Sequence, residues 1–194
     1  MCGRFALRNP QPLLSEFHMA IEPRFNISPN QKVLTIDKEI NYMKWGFTPY
    51  WADKPFNLIN ARSETLQTKP SFKNSSRCVI PADGWFEWKD GKGKKEPYFF
   101  HTEGSYFFFA GVYGGYRGEV GCVVVTTEAV NKLNNIHNRM PYIIDKKFYN
   151  DWLNGADIKE VKSISSEKIS FYKVSTHVNN PLNDDIKCIE KEES

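Results

Sequence analysis

Between residues 78 and 126 almost every apolar run is built from aromatic or β-branched side chains, and turn residues close each one off. Cys78-Val79-Ile80 and residues 84–89, 97–101, 106–113 and 120–126 are the runs; Asp90-Gly91-Lys92-Gly93 and Gly114-Gly115 are the clearest breaks. Short runs of this chemistry at this spacing suit strands and leave no room for long helices between them. The expected fold is α+β: a curved, mainly antiparallel sheet or barrel-like β core with short flanking helices, in a single domain.

The remaining segments fit round that core. Residues 32–37 and 40–45 read as a hairpin turning near Lys38-Glu39, 57–62 as extended, and 168–174 as a late strand. Residues 13–20 read as a short helix after Pro12, 63–67 and 71–73 as helical turns, and 131–136 as part of a helix starting near Thr127. Residues 145–153 form another helical candidate, with Asp145 as its N-cap and Gly155 just past its end. The domain is expected to span 1–186, with 187–194 as a charged, flexible tail.

At 194 residues, 40% hydrophobic and 25% charged, the chain has the balance of an ordinary globular domain. Its net charge of +3 neither demands nor excludes nucleic acid, so any basic footprint must be local. No run of about 18 apolar residues is present, and Gly3, Arg4, Arg8, Asn9 and Pro10 interrupt any signal-like opening. A cytoplasmic, monomeric protein is therefore expected, with no membrane partner. Cys2, Cys78, Cys122 and Cys188 are scattered without CxxC spacing, which argues against a zinc site, and a reducing compartment argues against disulfides. No metal or cofactor is expected.

Cys2 follows the initiator Met directly. Aminopeptidases remove Met before a small residue, and the mature chain would then begin with a thiol beside a free α-amine. Such a pair can condense with an aldehyde to an imine and close to a thiazolidine, or the thiolate can attack an amide. The plain alternative is an ordinary second residue in a frayed terminus.

Other segments concentrate reactive groups. Asn60-Ala61-Arg62-Ser63-Glu64-Thr65 packs an amide, a guanidinium and a carboxylate together, although it also reads as a turn with Ser63 as cap. Asp83-Gly84-Trp85-Phe86-Glu87-Trp88 puts Glu87 on the same strand face as Trp85 and Lys89; a carboxylate there would have a raised pKa suited to acid–base work, unless it simply faces outward. His137, in Ile136-His137-Asn138-Arg139-Met140-Pro141, sits beside an Arg and a Pro-marked reversal and could shuttle a proton; a structural His is the alternative. His18 and His101 read as surface or packing residues, and His177 as part of a polar turn. The aromatic loop from Trp45 to Ala52 offers stacking faces to bases or plain core packing. Lys69, Lys73 and Arg77 follow, and Arg4, Arg62 and Arg139 flank the reactive groups; they suit phosphates or a solvated basic face.

Taken together, Cys2-Gly3-Arg4-Phe5, Arg24-Phe25-Asn26-Ile27-Ser28-Pro29, Trp45-Gly46, the 60–65 and 83–88 segments and His137-Asn138-Arg139-Met140-Pro141 resemble the SRAP family, the SOS-response-associated peptidases. The likeness runs from residue 2 to about residue 180, with Phe25 and Ser28 standing where Tyr and Ala are common. The resemblance implies an abasic-site processing protein, which crosslinks an abasic site in single-stranded DNA through a thiazolidine at the N-terminal Cys. An autoproteolytic step that exposes the Cys and a lyase side activity belong to the same implication. It makes Cys2 the crosslinking residue and Asn60, Glu87 and His137 its active-site partners. Arg4, Arg62 and Arg139 match positions near the DNA backbone, and Trp51 falls in the aromatic DNA-facing loop. The competing readings are an N-terminal-nucleophile amidohydrolase of the glutamine-amidotransferase kind and a noncatalytic single-strand-binding module.

Overall fold

The structure, a computed structural model, describes residues 2–18, 20–91, 93–104 and 106–193. The expected processing at Met1, Met19 of the expected first helix and part of the expected turn at Lys92 lie outside the described residues.

The elements in order are β1 (Phe5–Leu7), α1 (Gln11–Phe17), β2 (Arg24–Ile27), β3 (Lys32–Ile36), β4 (Ile40–Trp45), β5 (Asn60–Arg62), β6 (Ser76–Ala82), β7 (Gly84–Asp90), β8 (Lys95–Thr102), β9 (Phe107–Tyr116), β10 (Glu119–Glu128), β11 (Arg139–Pro141), β12 (Ile143–Ile144), α2 (Tyr149–Leu153) and β13 (Ile169–Lys173). The protein is mostly β with short helices, as the turn-punctuated runs predict.

One sheet closes on itself. β9 pairs antiparallel with β10 on one side and with β6 on the other, β6 meets β3, β3 pairs with β4, and β4 runs parallel to β10. The ladder therefore returns to its start and leaves those strands without an open edge. β10 is the spine of this barrel-like sheet. β9 and then β11 line one of its sides, while β4 and then β5 line the other, so Thr126 faces Pro141 across one ladder and Arg62 across the other.

The second sheet has the order β13-β8-β7-β1-β2, and its pairings are all antiparallel. It packs on the first through aromatic rings. Phe5 lies 5.1 Å from Trp45 and 5.7 Å from Phe109, and Trp85 lies 6.0 Å from Phe107 and 6.4 Å from Phe109, all edge-on. The strand alternation in β7 holds: Trp85 belongs to the main core and Phe86 to a second core with Ala6, Phe99, Val174, Val178 and Cys188.

Some local expectations differ. The segment from Thr127 does not become a helix; β10 continues through Glu128, and only a 3-10 turn forms at Asn131–Asn135, entered through Asn131 at φ 52°. Pairing with β11 captures those residues, overriding local propensity. α1 starts earlier than expected and stops at His18, which is left-handed at φ 53°. Asp145 does act as a cap, accepting from the Lys147 amide, but for a 3-10 turn ahead of α2.

The charged segment from Lys187, expected to be loose, is docked. Cys188 is buried, the Tyr172 hydroxyl donates to Ile189 O at 2.8 Å, and Lys173 pairs with Glu192 at 3.1 Å. Composition misjudged this segment because the apolar Cys188 and Ile189 lie among its charges.

Candidate active site

The start of the chain runs beside β7. Phe5 pairs with Trp85 and Ala6 with Gly84, and the Phe86 amide donates to Arg4 O at 2.9 Å, so the residues before Arg4 head towards Glu87. Cys2 is fully buried, and its thiol lies 3.9 Å from Arg4 O. From the barrel side, β10 holds β5 so that the Asn60 Nδ2 donates to Cys2 O at 2.8 Å. The Asn60 Oδ1 is buried and has no hydrogen-bond partner among the described residues.

Glu87 is 3% exposed, and burial pushes its carboxyl up to about 7. The Cys2 thiol is pushed far above its ordinary range, first by burial and then by the nearby Glu87 charge. His137 Nδ1 lies 3.9 Å from Glu87 Oε2. Its ring is held below the usual imidazole range, mainly by burial, with Lys95 adding to the effect. The Arg139 amide donates to His137 Nδ1 at 3.0 Å. Nδ1 also lies 3.2 Å from Arg139 O, so the Arg139 backbone holds the ring through both its amide and its carbonyl.

Glu87 and His137 border open space. A cleft of about 400 Å³ is lined by Arg4, Glu87, Trp88, Lys95, His137 and Asn179. A larger depression of about 790 Å³ lies on the Asn60 side, bordered by Arg62, Thr65, Lys69 and Thr126. Cys2 touches Asn60 on one side and feels Glu87 on the other, which places it between the two.

The remaining sequence-selected residues divide by occupation. Arg62 and Lys69 line the depression. Trp51 is 49% exposed, donates to Pro70 O at 3.3 Å and sits 6.3 Å from Phe56. Arg4 reaches the cleft, but one nitrogen is held by Asn26 Oδ1 at 2.7 Å and Val178 O at 2.8 Å. Arg139 is occupied more fully. It forks onto Glu64 at 2.8 and 3.0 Å and donates to Thr126 O at 2.8 Å. Arg77 stands apart from the cleft, its guanidinium 4.2 Å above the Trp152 ring and bonded to the Trp152 and Ala156 carbonyls. There it satisfies the carbonyl end of α2, a role that explains its charge without a phosphate.

Sequence reasoning missed Lys95 and Asn179, which meet the cleft only through the β7–β8 hairpin and the turn after β13. It also missed Asn26. This fully buried side chain accepts from Arg4 and donates to Val178 O, Asn180 O and Asn183 O at 3.2, 3.1 and 2.6 Å. His177, Asp185 and Cys188 bring ligand atoms within 4.8 Å of one another. However, Asn183 Nδ2 approaches His177 Nδ1 at 3.1 Å and also donates to His177 O at 2.8 Å, so the His177 proton belongs on Nε2, facing Asp185. That pattern is a hydrogen-bonded clamp on the C-terminal segment, not a ready metal site.

Comparison with known proteins fits this arrangement. The SRAP model, "SOS response associated peptidase", matches residues 1–181. "Abasic site processing protein YoqW" of Bacillus subtilis (strain 168) is 32% identical over 222 residues, covering 98% of this chain and 99% of the relative. "Abasic site processing protein YedK" of Escherichia coli (strain K12) is 32% identical over 225 residues, with 98% and 99% covered. A solved structure of a protein from Bacteroides thetaiotaomicron shares the fold, with TM-score 0.78 at 22% identity over 92% of this chain and 90% of that one.

Proposed function

The chain belongs to the SRAP family, and on that footing we propose that it is an abasic-site processing protein that traps the lesion in single-stranded DNA as a thiazolidine on Cys2. The observation that carries this reading is the convergence of four separate segments on the start of the chain: Asn60 bonds to Cys2, Glu87 acts on the Cys2 thiol, and His137 faces Glu87, with Glu87 and His137 on one cleft and Asn60 on the adjoining depression. The protein acts as a cytoplasmic monomer and needs no cofactor.

The reaction starts once Met1 is lost, by an aminopeptidase or by self-cleavage, and the peptide nitrogen of Cys2 becomes an amine. An abasic deoxyribose is mostly a closed hemiacetal. Glu87, half-protonated near neutrality, donates to the ring oxygen and releases the aldehyde. The amine adds to the aldehyde carbon to give a carbinolamine. The Asn60 Oδ1, without a partner among the described residues, is available to accept from the amine or the sugar hydroxyl, and so to orient them. Loss of water, with His137 relaying protons, leaves an imine.

The thiol is held protonated by burial, so the amine reacts first. The sulfur then adds to the imine carbon and its proton ends on the nitrogen. Glu87 as carboxylate is the base that takes the proton in passage. One water is lost overall. Each positioned acid or base is worth about 10²–10⁴-fold. Without the sulfur the imine persists, and β-elimination of the neighbouring phosphate becomes the lyase side reaction.

A denaturing gel comparing abasic with intact single-stranded oligonucleotides tests the proposal. The native protein should give a heat-stable adduct with the abasic strand alone. Cys2→Ala should lose that adduct, keep noncovalent binding and cleave the strand slowly. An undiminished adduct from Cys2→Ala would remove Cys2 from the scheme.

A further inference from the structure

A cavity of about 430 Å³ lies between the end of β4, the loop from Thr48 to Asn57 and the β9–β10 hairpin. Gly46, Gly114 and Gly121 form part of its lining, where Asn57, Phe47 and the Gly46 carbonyl occupy the places side chains would take, while Phe56 and Tyr116 supply ring surface. Lys44 and Arg117 border it, and neither forms an ion pair among the described residues. Arg117 lies 5.1 Å from the Tyr116 ring centroid and ties the hairpin to the loop through Asp53 O at 3.0 Å. The Tyr116 hydroxyl is buried and has no hydrogen-bond partner among the described residues. The part of Tyr116 that the cavity can use is therefore its ring.

The cavity continues the active-site surface. Asn57 lines both this cavity and the Asn60-side depression. β10 also runs under both, with Thr126 in one and Gly121 in the other, roughly 16 Å apart at the rise of an extended strand. Trp51 and Phe56, in contact at 6.3 Å, connect the exposed aromatic loop to its rim. The ring surface of Phe56 and Tyr116 suits the flat face of a base. Lys44 and Arg117 suit the phosphates on either side of it, and Glu119 on the wall suits a base amino group.

We propose that this cavity is a subsite for an intact base of the same single strand, a few nucleotides from the abasic residue, gripped through its ring face and adjoining phosphates. The inference rests on the abasic-site reading above and adds to it a second point of hold, which recognises a base where the first recognises the lack of one.

The test reads equilibrium binding by fluorescence anisotropy. Single-stranded oligonucleotides carry an unreactive tetrahydrofuran residue at the lesion position and a second baseless residue moved stepwise along the strand. The native protein should bind about tenfold more weakly at one offset, on one side of the lesion only. That dip should shrink in Tyr116→Ala, which removes the ring. In Lys44→Ala/Arg117→Ala the salt slope of binding should fall by about 1–2. A flat scan overturns the subsite, as does a dip and salt slope unchanged in both variants. The scan with native protein needs no variant, so a folding defect cannot hide the answer. A parallel denaturing gel with a true abasic strand separates the two claims. No adduct sinks the abasic-site reading, whereas a normal adduct with a flat scan sinks the subsite alone.

Discussion

Glu87 is a carboxyl placed where water is scarce, and its raised proton affinity follows from that burial. Its folded pKa of about 7 lies above an ordinary value near 4.5, so the native state binds the proton more tightly than the unfolded chain does. The stability from this group is fully present below about pH 4.5 and is lost as pH rises through about 7. Glu87→Gln should therefore gain stability relative to native protein between pH 5 and pH 8, by up to roughly 3 kcal/mol, measured by urea unfolding at both pH values. The same variant should form adduct about 10²–10⁴-fold more slowly while binding DNA normally. Equal losses in rate and binding would make Glu87 a packing residue. Glu87 was legible in the sequence because strand alternation places it beside Trp85. The occupations of Arg77 and Arg139 were not, since their partners Trp152, Ala156 and Glu64 lie about 75 residues away.

At the level of elements, the site depends on two supports. β10 holds β5 and β11 along its opposite sides, and thereby fixes Asn60 and the strand that follows His137. The C-terminal segment, through Asn26, holds Arg4. Asp184 completes this support by accepting from the Phe25 and Asn26 amides at 2.6 and 2.9 Å and from Arg24. Asn26→Ala would take its donor from the Asn180 and Asn183 carbonyls and leave the Arg4 guanidinium hydrogen-bonded to Val178 O alone. It should cost about 2–3 kcal/mol in urea unfolding and slow adduct formation in the protein that remains folded. A neutral effect on both would show that Arg4 is placed by Val178 alone. The antiparallel strands could be read locally from turns and alternation. The parallel β4–β10 pairing, the closure of the ladder and the docked C-terminal segment could not, because each joins segments far apart in sequence.

Seen whole, the protein has a mild net charge of +3 but places Arg62 and Lys69 along one depression and Arg4 and Lys95 along the adjoining cleft. A local basic footprint of this kind should make capture salt-dependent, through counterion release from the strand. The rate of adduct formation at limiting DNA should fall linearly with salt on a log–log plot, with a slope of about −0.7 per phosphate contact on a single strand. A salt-independent rate would place the encounter elsewhere. The central claim is that the sugar carbon ends up bonded to both nitrogen and sulfur of residue 2. Tandem mass spectrometry of the digested adduct measures it directly. The account predicts the nucleotide remnant on a peptide that begins at Cys2, lacks Met1 and carries the mass of the abasic sugar less one water. A remnant mapped to a lysine, or to a peptide that still carries Met1, would contradict it.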